Sequence, residues 1–347
     1  MNGQTSWSEL VSQPDAWEQL LKRLASRRDV PSFALDGFDE LLLFGSGTSY
    51  YLALAVADWV GRRNDISVRA VPSCEVVLDP HQVKRRPGRR RLVIAISRSG
   101  ESSELILAIR SLQGADTVIV GVSCCADSSL LRMADRPFLV GEGHEDGLIM
   151  LRSFTSMLLA LQYEFGSNDD RAALRTLPSA GRALLVAQTE PLRELARRHS
   201  FDRFVFLGSG ANYPIALEAS LKVQEMSIST SEAYHSLEYR HGPMANANGD
   251  TLLTLFSLTN TRLGRSLARD TSSLQATVLV VGPNADEYRD AADLVVASGA
   301  GLDDGQASVL SLLPAQIVAF ETALRKGKDP DAPQNLNRVV ILEPTDG

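Results

Sequence analysis

Short, unbroken apolar runs punctuate the chain from Glu40 onward. Leu41–Phe44, Leu92–Ile96 and Thr117–Val122 each have the length of one strand and no polar alternation, the pattern of parallel strands covered on both faces. Stretches of helical character, Tyr50–Val60 and Ser103–Leu112, lie between them. That succession predicts a doubly wound α/β domain whose ligands bind beyond the carboxyl ends of its strands. Ahead of it, Leu10, Trp17, Leu20, Leu21 and Leu24 recur at roughly helical spacing between Ser6 and Ser26, with Pro14 marking a break or a helix start. This predicts an amphipathic helical arm. No second helix with a tight turn follows it, so a helix-turn-helix DNA reader is not expected.

The pattern occurs twice. Phe44-Gly-Ser-Gly-Thr-Ser-Tyr-Tyr-Leu-Ala-Leu54 aligns without a gap on Leu207-Gly-Ser-Gly-Ala-Asn-Tyr-Pro-Ile-Ala-Leu217, each after an apolar strand and before a helix. Further on, Thr117-Val-Ile-Val resembles Thr277-Val-Leu-Val in the same relative place. The expected organisation is a helical arm (1–38), a first α/β domain (39–147), a helical connection (148–200), a second α/β domain (201–300) and a C-terminal segment (301–347). That last segment holds a helix over Val309–Arg325 and an extended tail over Arg338–Leu342.

Bulk properties narrow the function. A chain of 347 residues suits two domains of about 150–170 residues each. Its 35 Lys+Arg against 42 Asp+Glu leave a net charge of −7, the wrong sign for a nucleic-acid binder. The basic run Lys84–Arg91 contains Pro87 and Gly88 between two strands and reads as a solvated loop. Cys74, Cys124 and Cys125 suit neither a disulfide framework nor a zinc site. There is no signal-peptide pattern and no apolar run of about 18 residues. A reducing, cytoplasmic setting without membrane attachment is expected.

Two strand-end loops carry candidate chemistry. Gly45-Ser46-Gly47-Thr48-Ser49 sets glycines and hydroxyls before a helix, where backbone approach, hydroxyl donors and the helix N-terminus favour an anion. Ser97-Arg98-Ser99-Gly100-Glu101-Ser102-Ser103 repeats the chemistry with an added guanidinium. Helix capping would explain Ser102 or Ser103 alone. Seven hydroxyl residues in two loops exceed that need and point to a phosphate. The spacing fits neither the dinucleotide fingerprint nor the P-loop. The matching loop of the second copy, Phe256-Ser-Leu-Thr-Asn260, lacks the glycine, so one phosphate site, in the first copy, is expected.

The second copy offers acid–base groups. Glu218, Lys222 and Glu225 at i, i+4 and i+7 project from one helix face. A surface salt-bridge ladder is the plain alternative. Glu232, His235, Glu238 and His241 then crowd what reads as a loop closed by Gly242-Pro243, with two of the chain's five histidines. Their spacing matches no standard zinc motif.

Here the residues carry a resemblance. The chain resembles the double sugar-isomerase (SIS) domain proteins: the isomerase half of glucosamine-6-phosphate synthase and, more closely, stand-alone amino-sugar-phosphate deaminase/isomerases. The match runs in order through SELVSQPDAW, GSGTSYY, AISRSGESSE, RSFTSMLLAL, LGSGANYPIALEASLKVQEM, SEAYHSLEYRHGPMA and QNLNRVV. The resemblance implies two tandem flavodoxin-like SIS subdomains, no cofactor and no metal. It implies that Ser46, Gly47, Thr48, Ser49, Ser97, Arg98, Ser99 and Ser102 cradle a sugar phosphate. Glu225 would move a proton between C1 and C2, and His241 would open the sugar ring, reaching in from the partner subunit of a homodimer with shared active sites. Glu218 and Lys222 would complete the pocket.

Two departures refine the expectation. Arg98 stands where the synthase usually has Gln, and Arg338 stands in place of its Schiff-base Lys, a role a permanently protonated guanidinium cannot fill. Asn337-Arg-Val-Val340 looks instead like the galactosamine-6-phosphate deaminase/isomerase branch. No glutaminase segment precedes the fold and Met1-Asn2 supplies no N-terminal Cys, so ammonia release or simple isomerisation is expected in place of amino-sugar synthesis. A phosphosugar sensor without catalysis is the contrasting class; it has no need to keep Glu225 together with His241.

Overall fold

A computed structural model describes residues 2–27 and 29–342. Met1, Arg28 and residues 343–347, parts of the expected arm and tail, lie outside them. The chain forms two compact units. The amino-terminal unit takes 15–146, 152–171 and the tail from Asn337. The carboxy-terminal unit takes the chain up to Pro14, 147–151 and 172–336.

The arm is two helices, α1 (Gln4–Val11) and α2 (Gln13–Ala25), parted at Ser12, with Pro14 in the first turn of α2, where a missing N–H costs nothing. The first sheet follows: β1 (Glu40–Gly45), α3 (Thr48–Arg63), β2 (Ser67–Pro72), α4 (Ser73–Leu78), β3 (Arg91–Ile96), α5 (Ser103–Leu112), β4 (Thr117–Ser123), α6 (Ser129–Met133) and β5 (Arg136–Leu139). All strands are parallel, in the order β2-β1-β3-β4-β5. The register sets Leu42 beside Val93 and Phe44 beside Ala95. These four join Leu105, Ala108 and Ile109 of α5 in one core, and each large side chain so buried stabilises the fold by about 1.5–3 kcal/mol.

The expected helical connection is α7 (Arg152–Phe165), α8 (Asn168–Leu174) and α9 (Leu177–Arg198). The second sheet follows with β6 (Arg203–Gly208), α10 (Asn212–Ser227), β7 (Thr230–His235), β8 (Thr251–Phe256), α11 (Thr261–Ser272), β9 (Thr277–Gly282) and β10 (Leu294–Ala297). Its order, β7-β6-β8-β9-β10, repeats that of the first, as the internal repeat predicts. Finally α12 (Ser308–Arg325) is buried along nearly its whole length, the state expected of a helix apolar on all sides.

One pair of glycines shows how far the repeat extends. A Cβ on Gly45 would stand 2.6 Å from the backbone of Ser49, and one on Gly208 would stand 2.1 Å from the carbonyl oxygen of Asn212. In both copies the helix therefore turns back tightly over the end of its strand. In each sheet the strand order reverses beside that strand, which opens the crevice at the carboxyl ends of β1 and β3, and of β6 and β8.

Candidate functional site

The loops at the first crevice are the two with the hydroxyls. Gly47 makes the turn into α3 with φ 55°, and its carbonyl accepts from the amides of Tyr50 and Tyr51 at 2.9 and 3.1 Å. Thr48 and Ser49 are buried in the first turn. No side chain caps α3, so its amino end keeps the positive pole that an anion would meet.

Beyond β3, the Ser97 hydroxyl accepts from the amide of Gly100 at 3.0 Å and the Ser99 hydroxyl from that of Glu101 at 3.3 Å. Ser102 occupies the N-cap position of α5, yet its hydroxyl makes no capping hydrogen bond. Capping therefore does not account for it. The contrast with the second copy is direct: there Asn260 caps α11 by accepting from the amide of Leu263.

Arg98 is buried, and its carbonyl is fixed by the Ser123 hydroxyl at 3.0 Å and the Cys124 amide at 3.1 Å. Its guanidinium faces the Glu145 carboxylate at 3.6 Å. Burial first, and the Glu145 charge second, push the Cys124 thiol well up, so Cys124 is a neutral packing group and not a nucleophile. Beside the loop, a cavity of about 560 Å³ opens between Ser99, Glu101, Cys125, Ser128, Gly141 and His144. That is the size of a small-molecule site.

The tail also reaches this unit's site. The two Nη atoms of Arg338 donate to the carbonyls of Asp146 and Glu145 at 2.8 and 2.5 Å. Further along, the carbonyl of Val340 accepts from the Ser103 amide and the amide of Leu342 donates to the Ser103 hydroxyl, both at 3.1 Å. The tail is thus docked across the start of α5, with no regular secondary structure over 338–342. Sequence reasoning named Arg338 but missed Ser103 as its anchor point, and Glu145 altogether. Glu145 stands between exposed polar neighbours, and nothing in the local pattern marks it as buried.

In the carboxy-terminal unit, α10 brings Glu218, Lys222 and Glu225 together. The Lys222 ammonium lies 3.3 Å from Glu218 and 2.5 Å from Glu225. Glu218 and Lys222 are fully buried, whereas the Glu225 side chain is 18% exposed. This overturns the surface-ladder alternative. Burial lowers the lysine's hold on its proton, but the two carboxylates outweigh it and keep Lys222 above the usual lysine value. Lys222 is therefore protonated here, and of its two carboxylate partners Glu225 is the one with exposed surface.

The segment Ser231–Pro243 is only partly a loop. Its start is strand β7, which ties Glu232 to Arg203 at 2.7 Å and stacks His235 on Tyr213, ring centroids 3.7 Å apart. Alternating, half-exposed residues hid that edge strand from an apolar-run criterion. Glu238 opens a short 3-10 turn, and its carbonyl accepts from the His241 amide at 2.9 Å. The His241 side chain is exposed, and among the described residues it joins neither Glu225 nor Lys222 in a hydrogen bond or ion pair.

Among the described residues no group of three His, Cys, Asp or Glu could hold a metal ion, and no helix is long and apolar enough to cross a membrane. A family model, the SIS domain, matches residues 38–164 and again 199–324. A glutamine–fructose-6-phosphate aminotransferase (isomerizing) from Acidithiobacillus ferridurans is 30% identical over 363 residues, covering 96% of this chain and 58% of that protein. The enzyme of the same name from Pyrobaculum aerophilum is 27% identical, with 96% and 57% covered. The chain thus spans less than two thirds of these curated relatives. Among solved structures, a glucosamine-6-phosphate deaminase from Thermotoga maritima superimposes with a TM-score of 0.83 at 27% identity, covering 97% of this chain and all of that one. A tagatose-6-phosphate ketose/aldose isomerase from Escherichia coli gives 0.85 at 22% identity with both chains fully covered, a likeness of fold.

Proposed function

The chain belongs to the SIS domain family, and on that premise we propose that it is a phosphosugar enzyme, a deaminase/isomerase of a hexosamine 6-phosphate. The observation that carries the proposal is the α10 cluster: a buried ammonium beside a carboxylate that remains partly open. In this reading Ser46, Gly47, Thr48, Ser49, Ser97, Arg98, Ser99 and Ser102 hold the phosphate. Remote binding energy then positions the reacting carbons. Ser102, a hydroxyl at an N-cap that does no capping, supports this role.

The proposed chemistry follows from the charges. Glu225 takes the proton from C2 of the open-chain 2-amino aldose and returns it to C1, while a proton passes from the amine to O1, so that the C2–N bond becomes an imine. Water adds at C2, the C–N bond breaks, ammonia leaves and the ketose 6-phosphate remains. Lys222 keeps its proton, so it forms no Schiff base; its contact with Glu225 holds that carboxylate in place. Glu218 is the counter-ion that lets a lysine stay charged in the interior. His241, exposed on its own turn, serves ring opening, supplied across the subunit boundary of a homodimer with shared sites. The likeness to a glucosamine-6-phosphate deaminase along nearly the whole chain supports release of ammonia over its incorporation.

The test is an assay of the purified protein with glucosamine 6-phosphate and galactosamine 6-phosphate, following ammonia and ketose together. Equal release of both is expected from one of the two sugars, and Glu225→Gln lowers it by about 10²–10⁴-fold. Ketose without ammonia from a hexose phosphate makes the protein a simple isomerase. Tight binding without turnover of any of these sugars makes it a sensor. Sedimentation as a monomer under assay conditions removes the shared-site part.

A further inference from the structure

A carboxylate inside a loop that holds a phosphate is out of place by charge, and the loop after β3 carries one, Glu101. The chemistry above makes no use of it. Its Oε1 accepts from the amide of Ser129, the first residue of α6, at 2.6 Å. Other acceptors of the same loop are drawn to the same segment. The Arg98 carbonyl accepts from the Ser123 hydroxyl and the Cys124 amide, and the Gly100 carbonyl accepts from the Leu130 amide at 3.0 Å. Gly100, with φ 68°, permits this close approach: a Cβ there would stand 2.5 Å from the Cβ of Ser128. Ser128 in turn caps α6 by accepting from the Leu131 amide.

Donors meet a phosphate, so the acceptors of its loop have to face elsewhere. Backbone geometry settles this for the two carbonyls. The Glu101 side chain is 40% exposed, so packing alone does not fix its direction. The nearest guanidinium, that of Arg132, stands 4.0 Å away, beyond hydrogen-bond range, and is itself 62% exposed. Solvent screens that attraction. The Ser129 amide is what aims the carboxylate.

We propose that Glu101 is a positioning residue for the phosphate loop: its carboxylate clamps the loop to the Ser129 amide at the cap of α6. The clamp fixes the shape of the loop and holds the loop's own negative charge away from the ligand. The inference rests on the reading of that loop as the phosphate site. The bond asks for an acceptor and not for a charge, so glutamine can keep it.

Calorimetric titration of the full chain with inorganic phosphate tests this in the wild type, Glu101→Gln, Glu101→Ala and Ser129→Pro. Proline is tolerated at the first position of a helix, so Ser129→Pro removes the donor and leaves Glu101 in place. Ser128, at φ −77° and ψ 150°, already has the extended backbone that a following proline requires. Glu101→Ala and Ser129→Pro should each bind phosphate about tenfold more weakly than the wild type, and Glu101→Gln at least as tightly as the wild type. A carboxylate that acts by repulsion alone gives the opposite sign, tighter binding in both Glu101→Ala and Glu101→Gln, and overturns the proposal. A merely structural role lowers the Tm of Glu101→Ala with the dissociation constant unchanged, which overturns it as well. So does wild-type affinity in Ser129→Pro, or equal weakening in Glu101→Gln and Glu101→Ala. Should Glu101→Ala fail to fold, Ser129→Pro and Glu101→Gln decide by the same criteria. No phosphate binding by the wild type rejects the phosphate loop itself, and this inference with it.

Discussion

A fully buried lysine between two carboxylates keeps its charge only while both partners stay, and Lys222 is such a residue. Its folded-state value lies above that of the unfolded chain. While both carboxylates are charged, the protonation of Lys222 therefore contributes stability that is fully present below the ordinary lysine value and is lost as pH rises through the raised one. Between about pH 6 and 9, stability should carry no slope from Lys222. Lys222→Met leaves Glu218 buried without its cation and should cost about 3–5 kcal/mol, read by chemical denaturation. A loss below about 1 kcal/mol would mean that the carboxylates find other partners. The helical spacing made the three residues legible as one face, but spacing does not reveal burial. Only the packing of α10 against α12 and α9 against α12 separates a buried ion cluster from a surface ladder. Glu145 was beyond reach for the converse reason, since its partners lie 8 and 47 residues away in sequence.

Among the elements, the central strands were legible and the edge strands were not. β1, β3 and β4 are covered on both faces and read as apolar runs; β2 is half-exposed and carries Arg69, and β7 carries Glu232 and His235. Hydrophobicity marks burial on two faces, so an edge strand leaves little trace in it. α10 adds a feature that no pattern suggests: it ends on Ile228 in the left-handed region, φ 51° and ψ 46°. A β-branched side chain is strained there, and Ile228 is 46% exposed, so little packing offsets the strain. Ile228→Gly should stabilise the protein by about 1 kcal/mol, seen as a higher denaturation midpoint. An unchanged or lower midpoint would show that the packing of Ile228 outweighs the backbone term.

For the whole molecule, duplication of one strand order is the organising fact, and the two copies have parted in chemistry. The first keeps at the end of β3 an N-cap hydroxyl, Ser102, that makes no capping hydrogen bond; the second spends Asn260 on a cap and carries the charged cluster on α10. In the proposed enzyme the amino-terminal unit holds the phosphate and the carboxy-terminal unit moves the proton. The claim that binds the two is proton transfer by Glu225, and solvent exchange reads it without depending on which sugar is natural. Glucosamine, galactosamine and fructose 6-phosphates are incubated with the protein in D₂O and followed by NMR. The account predicts deuterium at C1 or C2 of at least one of them with the wild type and none above background with Glu225→Gln. Exchange that persists in Glu225→Gln, or none in the wild type with any of the three, would contradict it.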